Sequence, residues 1–361
     1  MKSPLRTTLA GTFNQSTPRR AATITATLAA AVIAGCGGDD DSGASSEGPG
    51  ASGEATIVAT TGVLADIAAE VAGDDAEVVQ LIPDGVDVHG FAASAQDRAL
   101  LDDAVLVVEN GAGLEEGVPL DEVEAGRWAL ADEGSELIAF GSADVHGDEG
   151  ESHEGEGEKH EGETHDEEGE SHEGEGETVG EDAHDHSAGT GDPHVWMSPA
   201  FVAAAVPSLA EALAEADPAN ADEYRARADD YVERLESLDE EITDQLSGLP
   251  VAQRSLVTSH DAFSYFADRY DLTVIATPFP SSGPEAEPSA ARLAEVQDAI
   301  VDSGVSAVFA QVSDNPEVLE AVARETGVEV VDELLVSSPG DAGSYEEMMR
   351  RNASLIAAGL G

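Results

Sequence analysis

From Gly141 to Gly191 the chain consists almost wholly of Gly, Glu, Asp, His, Ser and Thr, and this stretch limits what the rest can fold into. With almost no apolar side chains it cannot offset the entropy of ordering, so it is expected to be disordered, and the packed parts must come from its flanks. The run Gly-Glu-Ser-His-Glu-Gly-Glu-Gly-Glu occurs twice, from Gly150 and from Gly169, which indicates growth by repetition. Seven of the ten histidines lie in it: His146, His153, His160, His165, His172, His184 and His186. The ordered parts are left with His89, His194 and His260.

The N-terminal region is also set apart by composition. Arg19 and Arg20 precede a weakly apolar run, Ala21 to Ala34, shorter than the ~20 residues of a membrane-spanning helix but suited to a signal-peptide core. It ends Ile33-Ala34-Gly35-Cys36, which resembles a bacterial lipobox, so Cys36 is expected to be lipidated and to anchor an exported chain. The paired arginines hint at twin-arginine export without the rest of that motif, and both export routes stay open. Cys36 is the only cysteine, which excludes a disulfide framework and any zinc site of several thiolates. Residues 37–54, rich in Gly, Ser, Asp and Pro, read as a flexible tether. A formal net charge of −59 excludes phosphate-backbone recognition, and so nucleic acid, and makes cations the natural partners. The acidity outside the histidine-rich stretch also suits a surface kept soluble in a salty medium.

From Ala55 onward, short β-branched runs alternate with helical stretches. Strands are expected at Ala55 to Thr60, Glu77 to Ile82, Ala104 to Glu109 and Glu136 to Phe140, with helices at Val63 to Ala72 and Ser94 to Asp102. A helix over Ala200 to Ala216 is followed by Asp217-Pro218, a helix start. Tyr224, Ala228, Tyr231, Leu235, Leu238, Ile242 and Leu246 then form one apolar stripe along a helix long enough to join two lobes. Strands return at Ser255 to Thr258, Thr273 to Ala276, Ala307 to Gln311 and Val328 to Val331. Helices are expected over Phe263 to Arg269, Ser289 to Asp302, Pro316 to Thr326 and Ser344 to Leu360. The alternation implies an α/β fold of βα units with largely parallel sheets, whose ligands bind beyond the carboxyl ends of strands. The organisation expected is signal peptide 1–36, tether 37–54, first lobe 55–216 carrying the insertion 141–191, linker helix 217–249 and second lobe 250–361.

His89, His260 and Asp332 all fall just after strands, and His194 follows Asp192-Pro193. Each alone is more readily a hydrogen-bonded or capping residue; together, at βα junctions, they point to a metal site. The chain here resembles the metal-specific solute-binding proteins of ABC importers, the cluster A-I or cluster 9 group of zinc and manganese uptake. The likeness rests on Asp87-Val88-His89 with Phe91 and Ser94, on Asn110-Gly111 with Leu114-Glu115, and on Asp192-Pro193-His194-Val195-Trp196. Ser259-His260-Asp261-Ala262-Phe263 with Tyr265-Phe266, and Tyr345 through Met348-Met349 to Asn352, complete it. It departs at Val88, where the family usually has proline, and at Met197-Ser198-Pro199.

The resemblance implies two lobes of mostly parallel four-stranded sheets, joined by one long rigid helix, with metal in the cleft between them. Carried over by position, the ligands are His89 and His194 from the first lobe and His260 and Asp332 from the second, with Glu333 the neighbour that could replace Asp332. Three imidazoles and a carboxylate suit tetrahedral Zn2+ better than Mn2+, which takes more oxygen donors. The insertion resembles the histidine-rich loop of many zinc members, and its seven histidines would gather zinc weakly. The resemblance thus implies a monomeric extracytoplasmic zinc receptor, held to a membrane by its lipid, that delivers metal to an ABC permease and ATPase. A surface metal buffer or adhesin would share the site. A zinc hydrolase is opposed by the lack of His-Glu-x-x-His and by a closed four-ligand set.

Overall fold

The computed structural model describes residues 55–134, 137–139, 191–279, 288–312 and 316–361. The expectations for the signal peptide, the tether, Cys36 and the seven histidines of the insertion lie outside the described residues.

Runs such as Ile57-Val58-Ala59 and Leu106-Val107-Val108 carry apolar side chains toward both faces, which suits strands covered on both sides. They lie in a wholly parallel sheet of order β2-β1-β3-β4, made of β1 (Ala55–Ala59), β2 (Ala76–Gln80), β3 (Leu106–Glu109) and β4 (Gly126–Ala129). The first crossover is α1 (Gly62–Ala72), whose first turn is capped by Thr61. The second contains α2 (Ala95–Asp102), entered through a capping box between Ser94 and Asp97. The fourth strand corrects an expectation: it is Gly126–Ala129, and residues 137–139 are not in a strand. A glycine, an arginine and a lone tryptophan show no strand pattern, and tertiary contacts supply what propensity does not. Arg127 pairs with Glu109 of β3, and Trp128 Nε1 donates to Ser208 Oγ on α3 (Pro199–Ala216) at 2.8 Å.

The linker helix α4 (Ala221–Ser247) has 27 residues, about 40 Å at the usual rise. Asp217 and Pro218 start a separate short turn before it rather than its first turn, and Asp217 accepts from Ala219 N, Asn220 and Tyr224. The apolar stripe is fully buried, from Tyr224 to Leu246. Polar anchors fix the helix at both ends. Arg227 donates to the carbonyls of Val71 and Ala72 at the end of α1, and Arg234 pairs with Glu70. Farther along, Asp239 takes Arg269 and the Tyr270 hydroxyl from the second lobe.

That lobe has two parallel pairs, β5 (Ser255–Val257) with β6 (Thr273–Ala276) and β7 (Ala307–Gln311) with β8 (Glu329–Leu334). A parallel bridge between Thr258 and Phe309 joins them. The helices are α5 (Ser264–Arg269), α6 (Ala290–Ser303), α7 (Pro316–Thr326) and α8 (Tyr345–Leu360). One apolar core runs without a break from Val58 and Leu209 through Tyr231 and Leu238 to Phe266 and Met348. The lobes therefore share packing along α4. A smaller core, with Val257, Val296, Val308 and Leu319, belongs to the second lobe alone.

Candidate metal centre

Three histidines converge where the lobes face each other. One ring nitrogen from each of His89, His194 and His260 lies within 4.8 Å of the other two. Among the described residues they form the one group of three or more potential ligands this close. His194 Nε2 and His260 Nε2 are 3.2 Å apart. Zinc–nitrogen bonds of about 2.0–2.1 Å put neighbouring tetrahedral ligands about 3.3 Å apart, so this pair has the spacing of one edge.

Each histidine is placed by local chemistry. The loop after β2 turns at Asp87, whose carboxylate accepts from the backbone of His89 (3.2 Å) and of Gly90 (3.0 Å). A Cβ on Gly90 would sit 2.9 Å from Asp87 Oδ2, so a side chain there would displace the carboxylate that holds this turn. His260 follows β5, where Ser259 N donates to Phe309 O and the Thr258 hydroxyl donates to the His260 carbonyl.

His194 is the most constrained of the three. Asp192 Oδ1 accepts from His194 N at 2.9 Å and lies 2.7 Å from its Nδ1. A buried carboxylate at that distance holds the proton on Nδ1 and turns the Nε2 lone pair toward the centre. The Pro193 carbonyl accepts from Asn110 Nδ2 (2.7 Å). Asn110 is itself held by Glu115, whose carboxylate accepts from the backbone of Asn110 and Gly111 and from Thr60 Oγ1. Gly111, Ala112 and Gly113 all have positive φ, the tight turn that allows this wrap. On the other side Trp196 packs edge-on to His194, donates to Val336 O and accepts from the Tyr345 hydroxyl. Asn352 closes a two-point clamp on the Leu335 backbone.

Burial sets the charge state. It pushes the His89 imidazole down to about 3, helped by the neighbouring His194. His260 is held well below the ordinary imidazole range by burial, then by His194 and His89. Both are therefore neutral at physiological pH, with a lone pair to give to a metal. Burial raises Glu115 to about 7 against the opposing effect of its three hydrogen bonds.

The fourth expected ligand is not brought into the group. Asp332 lies inside β8 rather than after it, and both Asp332 and Glu333 are exposed. The register against β7 shifts there, Phe309 facing Val331 and Gln311 facing Leu334, so β8 carries one extra residue. Such a bulge cannot be read from a short strand pattern. Asp192 as the orienting carboxylate, and Tyr265, were also not singled out by sequence as second-layer groups, although both lie in motifs that were.

Comparisons with known proteins bear on the family and the fold. A family model described as "Zinc-uptake complex component A periplasmic" matches residues 57–359. The manganese-binding lipoprotein MntA of Halalkalibacterium halodurans is 26% identical over 335 residues, 92% of this chain and 95% of that protein. The iron-binding protein YfeA of Yersinia pestis is 26% identical over 317 residues, 84% of this chain and 86% of that one. The zinc-binding lipoprotein AdcA of Streptococcus pneumoniae is 28% identical over 314 residues, 85% of this chain but 56% of AdcA. The solved periplasmic zinc binding protein TroA of Treponema pallidum has the same fold, with a TM-score of 0.66 at 24% identity over 86% of this chain and all of that one. With a matching sequence model, a shared fold and three histidines in the cleft, the chain belongs to the zinc-uptake component A family, the substrate-binding proteins of metal ABC transporters.

Proposed function

We propose that this protein captures Zn2+ outside the cytoplasm through His89, His194 and His260 and passes it to the permease and ATPase of an importer. The observation that carries the reading is the convergence of three imidazoles, two of them kept neutral by burial. The relatives bear the names of manganese, iron and zinc proteins, so the donor set must discriminate. Three nitrogen donors favour zinc, because manganese prefers carboxylate, carbonyl and water oxygens. Asp332 on the β8 bulge is the proposed fourth donor in the loaded form, with Glu333 beside it as the competing carboxylate. The receptor catalyses no reaction, and it is held at the membrane by a lipid on Cys36; two of the relatives above are named lipoproteins. The histidines of the insertion bind zinc weakly and raise its concentration near the cleft.

Anaerobic titration of the mature chain with zinc, with and without residues 141–190, tests this reading. One tight site should survive the deletion while several weak ones disappear. A His89→Ala, His194→Ala double variant that keeps the tight site refutes the ligand assignment. Tighter binding of Mn2+ than of Zn2+ would transfer the reading to manganese.

A further inference from the structure

The histidine-rich insertion leaves the described fold after Ala139 and rejoins it at Gly191, and the two ends are fastened together. Asp192 N donates to Ile138 O at 2.7 Å. A Cβ on Gly191 would lie 2.2 Å from Leu137 Cβ and 3.1 Å from Ile138 O, so only glycine allows this approach. The fastening is closed by a residue of the other lobe. The Tyr265 hydroxyl accepts from Ile138 N and donates to Asp192 O, each at 3.0 Å. Tyr265 lies on α5, which follows His260, and is only 6% exposed. Its ring packs edge-on against Phe201 of α3, 6.1 Å between centroids.

One hydroxyl thus touches both ends of the insertion, and the Asp192 it holds is the residue that orients His194. We propose that Tyr265 is a positioning residue of the metal centre, locking the neck of the insertion from the second lobe so that His194 is correctly aimed only while the lobes are docked. Separation of the lobes leaves the Ile138 N–H and the Asp192 carbonyl without this partner and frees the backbone that carries the orienting carboxylate. Docking is thereby coupled to metal retention through ordinary hydrogen bonds, and undocking loosens one ligand of the set. The proposal rests on the reading of His89, His194 and His260 as metal ligands.

The test is the rate of zinc loss from the full mature chain, followed by stopped-flow transfer to a chromophoric chelator. Tyr265→Phe removes only the hydroxyl. It should speed dissociation about 10-fold, the lower end of the range for groups behind metal ligands, with association unchanged. Tyr270→Phe, which loses its bond to Asp239 at the end of the same helix, serves as the control and should leave the dissociation rate at the parental value. The effects of Tyr265→Phe and Asp192→Asn should be less than additive, because one acts through the other. Dissociation within twofold of the parent, or equal acceleration by both tyrosine variants, overturns the proposal while leaving the ligand reading intact. The ligand reading is tested separately by the His89→Ala, His194→Ala variant. If Tyr265→Phe does not fold, hydrogen exchange at the Ile138 amide of the parent gives the answer: protection should rise on zinc loading, and unchanged protection overturns the proposal.

Discussion

Replacing Asp192 by Asn changes one charge behind His194 and nothing in the ligand set. Asp192 is fully buried; its Oδ1 serves both the backbone N–H and the Nδ1 of His194, while its Oδ2 has no hydrogen-bond partner among the described residues. The asparagine oxygen can still accept both bonds, but without charge, so Nε2 becomes a weaker donor to a dication. Removing such outer groups typically costs 10–100-fold in metal affinity, or about 1.4–2.8 kcal/mol. The effect on the metal-free fold is different in kind. An amide in place of Oδ2 buries donors with no acceptor, at about 1–3 kcal/mol, while loss of an incompletely compensated buried charge works in the opposite direction. The two effects largely cancel, so affinity should fall by 10-fold or more while the melting temperature of the apoprotein moves little. Competition for zinc against a chelating dye at fixed pH and salt measures the first quantity, and thermal unfolding of the apoprotein the second. Zinc affinity within twofold of the parent would show that this carboxylate does not tune His194.

Three further outcomes are expected. Asp332→Asn should weaken zinc at the tight site by at least 10-fold and Glu333→Gln by less than twofold, as read by the same competition; the reverse order assigns the fourth ligand to Glu333. Glu115 keeps its proton to about 7 when folded but releases it near 4.5 when unfolded, so between these pH values the folded chain holds more protons and stability falls as pH rises. This group should contribute a loss of about 3 kcal/mol by pH 8, seen as a pH slope in denaturant unfolding that is shallower in Glu115→Gln; an unchanged slope refutes it. Finally, 75 acidic residues face 16 basic ones, and both lysines, Lys2 and Lys159, lie outside the described residues. The self-repulsion of this acidic excess is screened as the Debye length falls from about 30 Å at 0.01 M to about 3 Å at 1 M salt. The apoprotein should therefore melt several degrees higher in 1 M NaCl than in 10 mM, and a flat or falling melting temperature contradicts this.

What could be read from the chain depended on whether the information was local. The stripe from Tyr224 to Leu246 repeats at helical spacing, and it is the buried face of α4. β7 and α7 occupy the expected spans because an apolar run and a proline-started amphipathic run announce themselves within a dozen residues. β4 does not, because Arg127 and Trp128 are held by Glu109 and Ser208, partners 18 and 80 residues away. The histidines could be singled out by subtraction once the insertion had claimed the other seven. The groups that aim them could not. Asp192 is close in sequence to His194, but only the fold shows its carboxylate against Nδ1 rather than in solvent. The Tyr265 link spans 73 residues to Asp192 and 127 to Ile138.

The same distinction separates the two populations of histidine. Desolvation lowers an imidazole's affinity for protons, and this is why half-buried His89 falls to about 3. It can then accept a metal without first releasing a proton, and acidification competes only weakly at that ligand. A histidine on an acidic, hydrated chain has the opposite balance, since neighbouring carboxylates favour the imidazolium and protons compete directly with zinc. In the proposed reading, a collector of that kind would load best at neutral pH and give up its ions readily, whereas the cleft would keep them. In that reading the boundary between the two behaviours would fall at the neck, where Gly191 and Asp192 lead from the insertion onto His194.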